Sequence, residues 1–182
     1  LMSRAPLRRM EAEPLRDSLL QIGGQLDLKV GGTIWTFENY KLVFNHTSED
    51  ATTYNSNRRA IYLPVIRNHV YDLFELFDFP DPGTVNGNRA DTTIAPQSLY
   101  LMNRPLVLRT CATMAKQLLA EGKLNNTERV EWLYVKVYNR KPTANESKRA
   151  VAFVNEFCQE QQASWQALCQ ALLSSNEFLY LK

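Results

Sequence analysis

The chain has 182 residues, 45% hydrophobic and 22% charged, ordinary values for a protein that buries one substantial core, or a core with a small annex. Its 21 basic and 19 acidic residues leave a net charge of +2, too balanced for a nucleic-acid footprint. No apolar run is long enough to span a bilayer and no signal peptide is expected in the first residues; because Leu1 is not a natural start, the chain is expected to be a fragment or a processed product.

Residues 1–9 are expected to be loose, with Arg4, Arg8 and Arg9 forming a solvated basic cluster. Leu15, Leu19, Ile22 and Leu26 then recur at helical spacing, predicting an amphipathic helix with Pro14 in its first turn and a stop at Gly23-Gly24. Glu11 and Glu13, two residues apart, do not share a helix face and make a poor acid–base pair. Arg16 is expected to reach a glutamate one turn back.

Residues 28–66 change character. Thr33-Ile34-Trp35-Thr36-Phe37, residues 40–44 and residues 58–65 have β-favouring composition, with Pro64 confining the third run to a sheet edge or strand end. They predict a small two- or three-stranded sheet or hairpin. Trp35, Tyr40 and Tyr62 form a candidate aromatic surface, with packing against the helices favoured over sugar stacking.

Val70, Leu73, Phe74 and Phe77 predict a short helix feeding the stretch with the most special chemistry, residues 77–102. Phe79, Asp81 and Ala95 precede prolines and should be extended, so residues 80–91 form a loop. Thr92-Thr93 followed by Pro96 read as a helix start with a hydroxyl cap. This corner presents Asp78, Asp81, Arg89, Asp91, Thr92, Thr93 and Gln97, to which Arg58, Arg59 and Arg67 are expected to contribute. An architectural corner of paired charges is favoured over a ligand site. A carboxylate pair for glycoside hydrolysis drawn from Asp78, Asp81 and Asp91 is the rival reading.

Pro105 splits two helices, about residues 94–103 and 105–121, the second carrying Val107, Cys111, Met114 and Leu118 on one face. Three amphipathic helices complete the chain. The first spans 125–139 with Val130, Leu133, Tyr134, Val137 and Tyr138 inward. The second starts at the capping box Thr143-Ala144-Asn145-Glu146 and continues through Ala150, Phe153, Val154 and Phe157. The third carries Trp165, Leu168, Cys169, Leu172 and Leu173. Short connections predict antiparallel neighbours, and the apolar C-terminus is expected to dock. Cys111, Cys158 and Cys169 all fall on apolar faces, and no pair has C-x-x-C spacing.

The fold class is thus mainly α, a bundle-like antiparallel helical body with a small β hairpin or sheet at about residues 28–66. A single domain over 1–182 is expected, with sub-parts 1–93 and 94–182. No nucleophile, dinucleotide or phosphate-loop motif occurs, only His46 and His69 could serve as imidazole ligands, and no C-x-x-C-H is present, so no metal and no cofactor are expected.

Five ordered motifs carry a resemblance. They are Arg8-Arg9-Met10-Glu11-Ala12-Glu13 with Leu15-Arg16-Asp17; Arg59-Ala60-Ile61-Tyr62-Leu63-Pro64-Val65-Ile66-Arg67-Asn68; Leu76-Phe77-Asp78-Phe79-Pro80-Asp81-Pro82; Thr92-Thr93-Ile94-Ala95-Pro96-Gln97-Ser98-Leu99; and Leu172-Leu173-Ser174-Ser175-Asn176-Glu177-Phe178-Leu179-Tyr180. Together they resemble a planctomycete-specific domain of unknown function, of which the chain covers the C-terminal portion. The resemblance implies a part of a large secreted protein, placed outside the cytoplasm, with upstream domains such as a cytochrome-c-like module as partners and polysaccharide as a candidate ligand. It implies no catalytic residues. A non-catalytic structural or interaction module is the leading expectation, and a glycan-active site at the 78–91 corner is the alternative.

Overall fold

A computed structural model describes residues 7–32, 34, 54–66, 69–122 and 124–181. In chain order these form strand β1 (Arg8–Arg9), helix α1 (Ala12–Ile22), a 3-10 turn (Ala60–Tyr62), and helices α2 (Asp72–Leu76), α3 (Ala95–Asn103) and α4 (Pro105–Ala120). Helices α5 (Asn126–Tyr138), α6 (Ala144–Phe157), α7 (Gln161–Leu173) and α8 (Asn176–Leu179) follow, then strand β2 (Tyr180–Leu181). The chain is mainly helical, with one small antiparallel sheet of two strands among the described residues.

Helix α1 holds Pro14 in its first turn, where no intrahelical bond is lost. It buries Leu15, Leu19 and Leu20, and Gly24 ends it at φ +67°, a conformation open to glycine at little cost. Gln117 Nε2 stands 2.8 Å from where a Gly24 Cβ would lie and donates to Gly23 O at 3.2 Å, so the close approach also satisfies a carbonyl.

Proline sets the α3–α4 break. Arg104 is extended at ψ 140°, as a residue before proline must be, and Pro105 opens α4. Val107, Cys111, Met114 and Leu118 of α4 are completely buried, facing Trp165, Cys169 and Leu173 of α7, which are equally buried. The contact between these two helices is the most extensive in the fold; α6 lies against α7, α5 against α6, and α1 and α3 against α4. Each fully buried large apolar side chain contributes about 1.5–3 kcal/mol relative to exposure.

The last third follows its local signals. Thr143 Oγ1 accepts from Glu146 N–H at 3.3 Å, while Glu146 Oε2 accepts from Thr143 N–H at 2.7 Å. Asn125 and Glu128 make the same reciprocal pair at α5, which ends on Asn139 in the left-handed region at φ 55°. Arg140 then clamps the end of the bundle, forking onto Glu146 at 2.8 Å and Glu177 at 2.6 Å. On α6, Ala150 and Val154 are buried but Phe153 and Phe157 face outward, their rings 5.0 Å apart.

Among the described residues the two-stranded sheet joins the two ends of the chain. Residues 8–9 are not loose: they pair with the other end of the chain in the register Arg8↔Leu181 and Arg9↔Tyr180, and Met10 N–H extends the ladder to Leu179 O at 2.7 Å. The third strand candidate, residues 58–65, contains the 3-10 turn instead. Asp17 Oδ1 accepts the Ala60 N–H at 2.7 Å and Tyr62 N–H turns back to Arg59 O, removing the donors a ladder would need. Among the described residues, only an isolated parallel bridge, Asp27↔Arg58, touches this region. The runs at 33–37 and 40–44 lie outside the described residues, Ile34 excepted.

Candidate functional site

The corner is built on the end of α2. Asp78 occupies the left-handed region at φ 59°, and Phe79 N–H bonds back to Phe74 O at 2.9 Å while the two rings stack at 5.0 Å. This is a Schellman stop with its usual apolar contact, but an aspartate stands where glycine is commonest. Aspartate tolerates this backbone better than most residues because its short side chain bonds locally.

That bonding converges on one carboxylate. Asp78 Oδ2 accepts from Arg9 Nη2 at 2.6 Å and from Thr92 N–H at 2.8 Å, and Thr92 Oγ1 donates to the carboxylate at 2.9 Å. Arg9, with only 3% of its side chain exposed, also donates to Thr92 O at 3.2 Å and Met10 O at 3.0 Å, and its guanidinium lies 5.2 Å from the Phe77 ring centre. Asp91, mostly exposed, approaches Arg9 Nε at 3.4 Å. One guanidinium therefore ties β1, the end of α2 and the 91–92 segment together.

Arg89 makes a second tie. It donates to Glu13 with both terminal nitrogens, at 2.7 and 2.8 Å, and to Glu11 at 2.9 Å. The two glutamates converge on one partner because Glu11 is the extended N-cap of α1 rather than a helical residue, so helical spacing does not separate them. Burial pushes the Glu13 carboxyl up, but the Arg89 hydrogen bonds, a backbone bond and the Arg89 charge outweigh it and hold the group below the ordinary glutamate value.

Gln97, 3% exposed, is the third tie. Its amide nitrogen donates to Leu76 O at 3.0 Å and Thr92 O at 3.1 Å, and its oxygen accepts from Ile94 N–H at 3.3 Å. The threonines do not cap α3 as expected, since its N-cap is Ile94. The Thr92 hydroxyl is taken by Asp78, and the Thr93 hydroxyl meets Tyr180 Oη at 2.8 Å, joining the corner to β2.

The other expected members sit elsewhere. Asp81 is exposed and closes a local turn onto Gly83 N–H at 2.8 Å. Arg58 wraps the 29–32 turn, donating to Lys29 O at 2.9 Å and Gly31 O at 2.6 Å, and covers one face of the Tyr62 ring, 4.0 Å from its centre. Arg59 lies 3.8 Å from Asp17, away from the corner. Arg67, Trp35 and Tyr40 lie outside the described residues. Arg16 does not meet a glutamate: it is 1% exposed and donates to the backbone carbonyls of Ser56 and Arg58. Cys111 and Cys169 are buried, but Cys158 is the exposed C-cap of α6.

A cavity of about 660 Å³ beside the corner is lined by Asp72, Glu75 and Asp78 but not by Asp81 or Asp91, and Asp72 is bound to Arg104 at 2.6 Å. The Asp78 oxygens are already engaged by strong donors. Among the described residues no cluster of His, Cys, Asp and Glu could hold a metal, and no helix is long and apolar enough to cross a membrane. Arg9, Glu13 and Arg16 read in the sequence as a solvated cation, half of a poor acid–base pair and the partner of a glutamate one turn back, because their actual partners lie 40 to 83 residues away and no local spacing reports them.

What the fold and corner define is a helical body held by long-range guanidinium ties. The chain belongs to PSD1, a family of proteins of unknown function (DUF1553), whose model matches residues 1–154. No curated protein and no solved structure matches it.

Proposed function

We propose that this chain is a non-catalytic structural or interaction module of a multidomain exported protein, with upstream domains of the same polypeptide as its partners and polysaccharide as a candidate contact of the whole. The observation that carries this reading is the Asp78 carboxylate, satisfied by Arg9 and Thr92 and joined to the left-handed stop of α2. A group so engaged stabilises a corner; it is not poised to exchange a proton with a substrate. The ties from Arg9, Arg89 and Gln97 all restrain the same 76–97 segment, as a brace requires. The extracytoplasmic setting and the planctomycete-type, redox-associated architecture rest on the motif resemblance alone.

The test is a screen of neutral and sulfated polysaccharides with the intact protein and its Asp78→Asn variant. The expected result is equal behaviour of the two toward every glycan, with Asp78→Asn melting at a lower temperature. Glycan turnover that disappears in Asp78→Asn at unchanged melting would overturn the reading in favour of catalysis at the corner.

A further inference from the structure

A cleft of about 380 Å³ lies away from the corner, between α1, residues 54–57, α2 and the start of α4. Its size falls at the lower end of the range, about 300–1,000 Å³, typical of small-molecule sites. Among the described residues three guanidinia, from Arg16, Arg104 and Arg109, line it against one carboxylate, Asp72. That carboxylate is already spent: Oδ2 meets Arg104 at 2.6 Å and Oδ1 accepts the Leu73 N–H at 2.8 Å. Arg109 is exposed on α4 and makes no side-chain hydrogen bond or ion pair among the described residues.

Arg16 is the unusual member. Its guanidinium is buried, and among the described residues its Nε has no partner and its closest carboxylate oxygen, on Asp17, is 3.6 Å away and is already accepting the Ala60 N–H. A buried cation held mainly by neutral carbonyls is under-compensated. Burial accordingly lowers the Arg16 pKa, with the neighbouring Tyr71 and Asp17 opposing it. One wall of the cleft is aromatic: Tyr54 stacks on Tyr71 at 4.7 Å and on His69 at 6.3 Å, and the Tyr54 hydroxyl anchors the wall to His69 O at 2.9 Å.

We propose that this cleft binds a small organic anion, its oxyanion group directed to Arg16 and Arg109 and its flat body against Tyr54 and Tyr71. The uncompensated charge is the attraction for the anion, and the stacked rings select a ring-shaped carrier over a simple inorganic ion. This site is independent of the bracing role proposed for the corner, and either can fail without the other.

The test is a calorimetric and amide-NMR titration of the 182-residue chain with benzoate, with benzyl alcohol as the neutral match and inorganic sulfate as the ringless anion. Saturable benzoate binding is expected, tighter than either comparator, weakened by added salt, and perturbing amides around residues 54–57 and 69–72. Arg109→Ala is expected to weaken benzoate about tenfold, the loss of one charge-assisted hydrogen bond. Because Arg109 is exposed and makes no side-chain hydrogen bond or ion pair among the described residues, the melting temperature of the variant should not change. Equal binding of benzoate and benzyl alcohol, no saturable binding of benzoate, or unchanged affinity in Arg109→Ala would each overturn the proposal.

Discussion

Asp78 and Arg9, 69 residues apart, meet at 2.6 Å with 15% and 3% of their side chains exposed, so this ion pair is largely removed from water. Breaking such a pair from one side leaves a buried charge without its partner, which costs about 3 kcal/mol or more. Asp78→Ala should therefore lower the melting temperature by about 10 °C. Asp78→Asn retains an acceptor for Thr92 and a side chain that tolerates the left-handed backbone, so it should lose less. Thermal melts of the two variants check the order; a milder loss in Asp78→Ala than in Asp78→Asn would show that neither the Thr92 bonds nor the left-handed backbone contributes.

Gln97 stabilises without any charge. Replacing it with alanine removes the donor to Leu76 O and the acceptor of Ile94 N–H, while Thr92 O keeps Arg9 Nε, at about 1–3 kcal/mol per buried group left unsatisfied. Gln97→Ala should shift the urea midpoint down with the slope of the transition unchanged. Gln97→Met, which fills the space but cannot donate, should lose nearly as much. A neutral Met variant would mean that packing carries the effect.

Acid should loosen the far end of the molecule. The Arg140 hydrogen bonds, with the Thr143 backbone bond, hold the Glu146 carboxyl down at about 2, against an ordinary value of 4.5. A depressed carboxyl contributes stability that is complete above its unfolded value and is lost as pH falls through the folded one. Melting temperature should thus decline from about pH 5 toward pH 2, and Glu146→Gln should flatten that decline while lowering stability at neutral pH. An unaltered slope in Glu146→Gln would assign the acid sensitivity to other groups.

The thiols should separate cleanly. Burial pushes Cys111 up to about 12 and raises Cys169 further above its ordinary value, whereas Cys158 is exposed. Native protein treated with a thiol reagent should modify Cys158 alone, and denatured protein all three cysteines, as read by mass spectrometry. Rapid native labelling of Cys111 would show that α4 opens from α7.

Much of the helical body was legible because its signals are local. The face Val107, Cys111, Met114 and Leu118, the Thr143–Glu146 box and the stops at Gly24 and Pro105 each depend on residues a turn or two apart, and each lies as spacing requires. The corner was legible as a corner, from prolines that forbid helix. Its partners were not: Arg9 read as a solvated cation and Arg16 as a surface ion-pair former, yet both are buried by segments distant in sequence. Residues 58–65 have strand-favouring composition, but the Asp17 carboxylate waiting at Ala60 N–H decides for a 3-10 turn. A ladder two residues long, between the two ends of the chain, leaves no periodic trace at all.

That ladder has a mechanical consequence. Because Arg8 faces Leu181 and Arg9 faces Tyr180, tension applied through flanking chain at both ends would peel the strands rung by rung instead of shearing them together. The rungs would part first, at low force, and the load would then fall on the Arg9 guanidinium, whose bonds to Asp78 and Thr92 lie directly behind them.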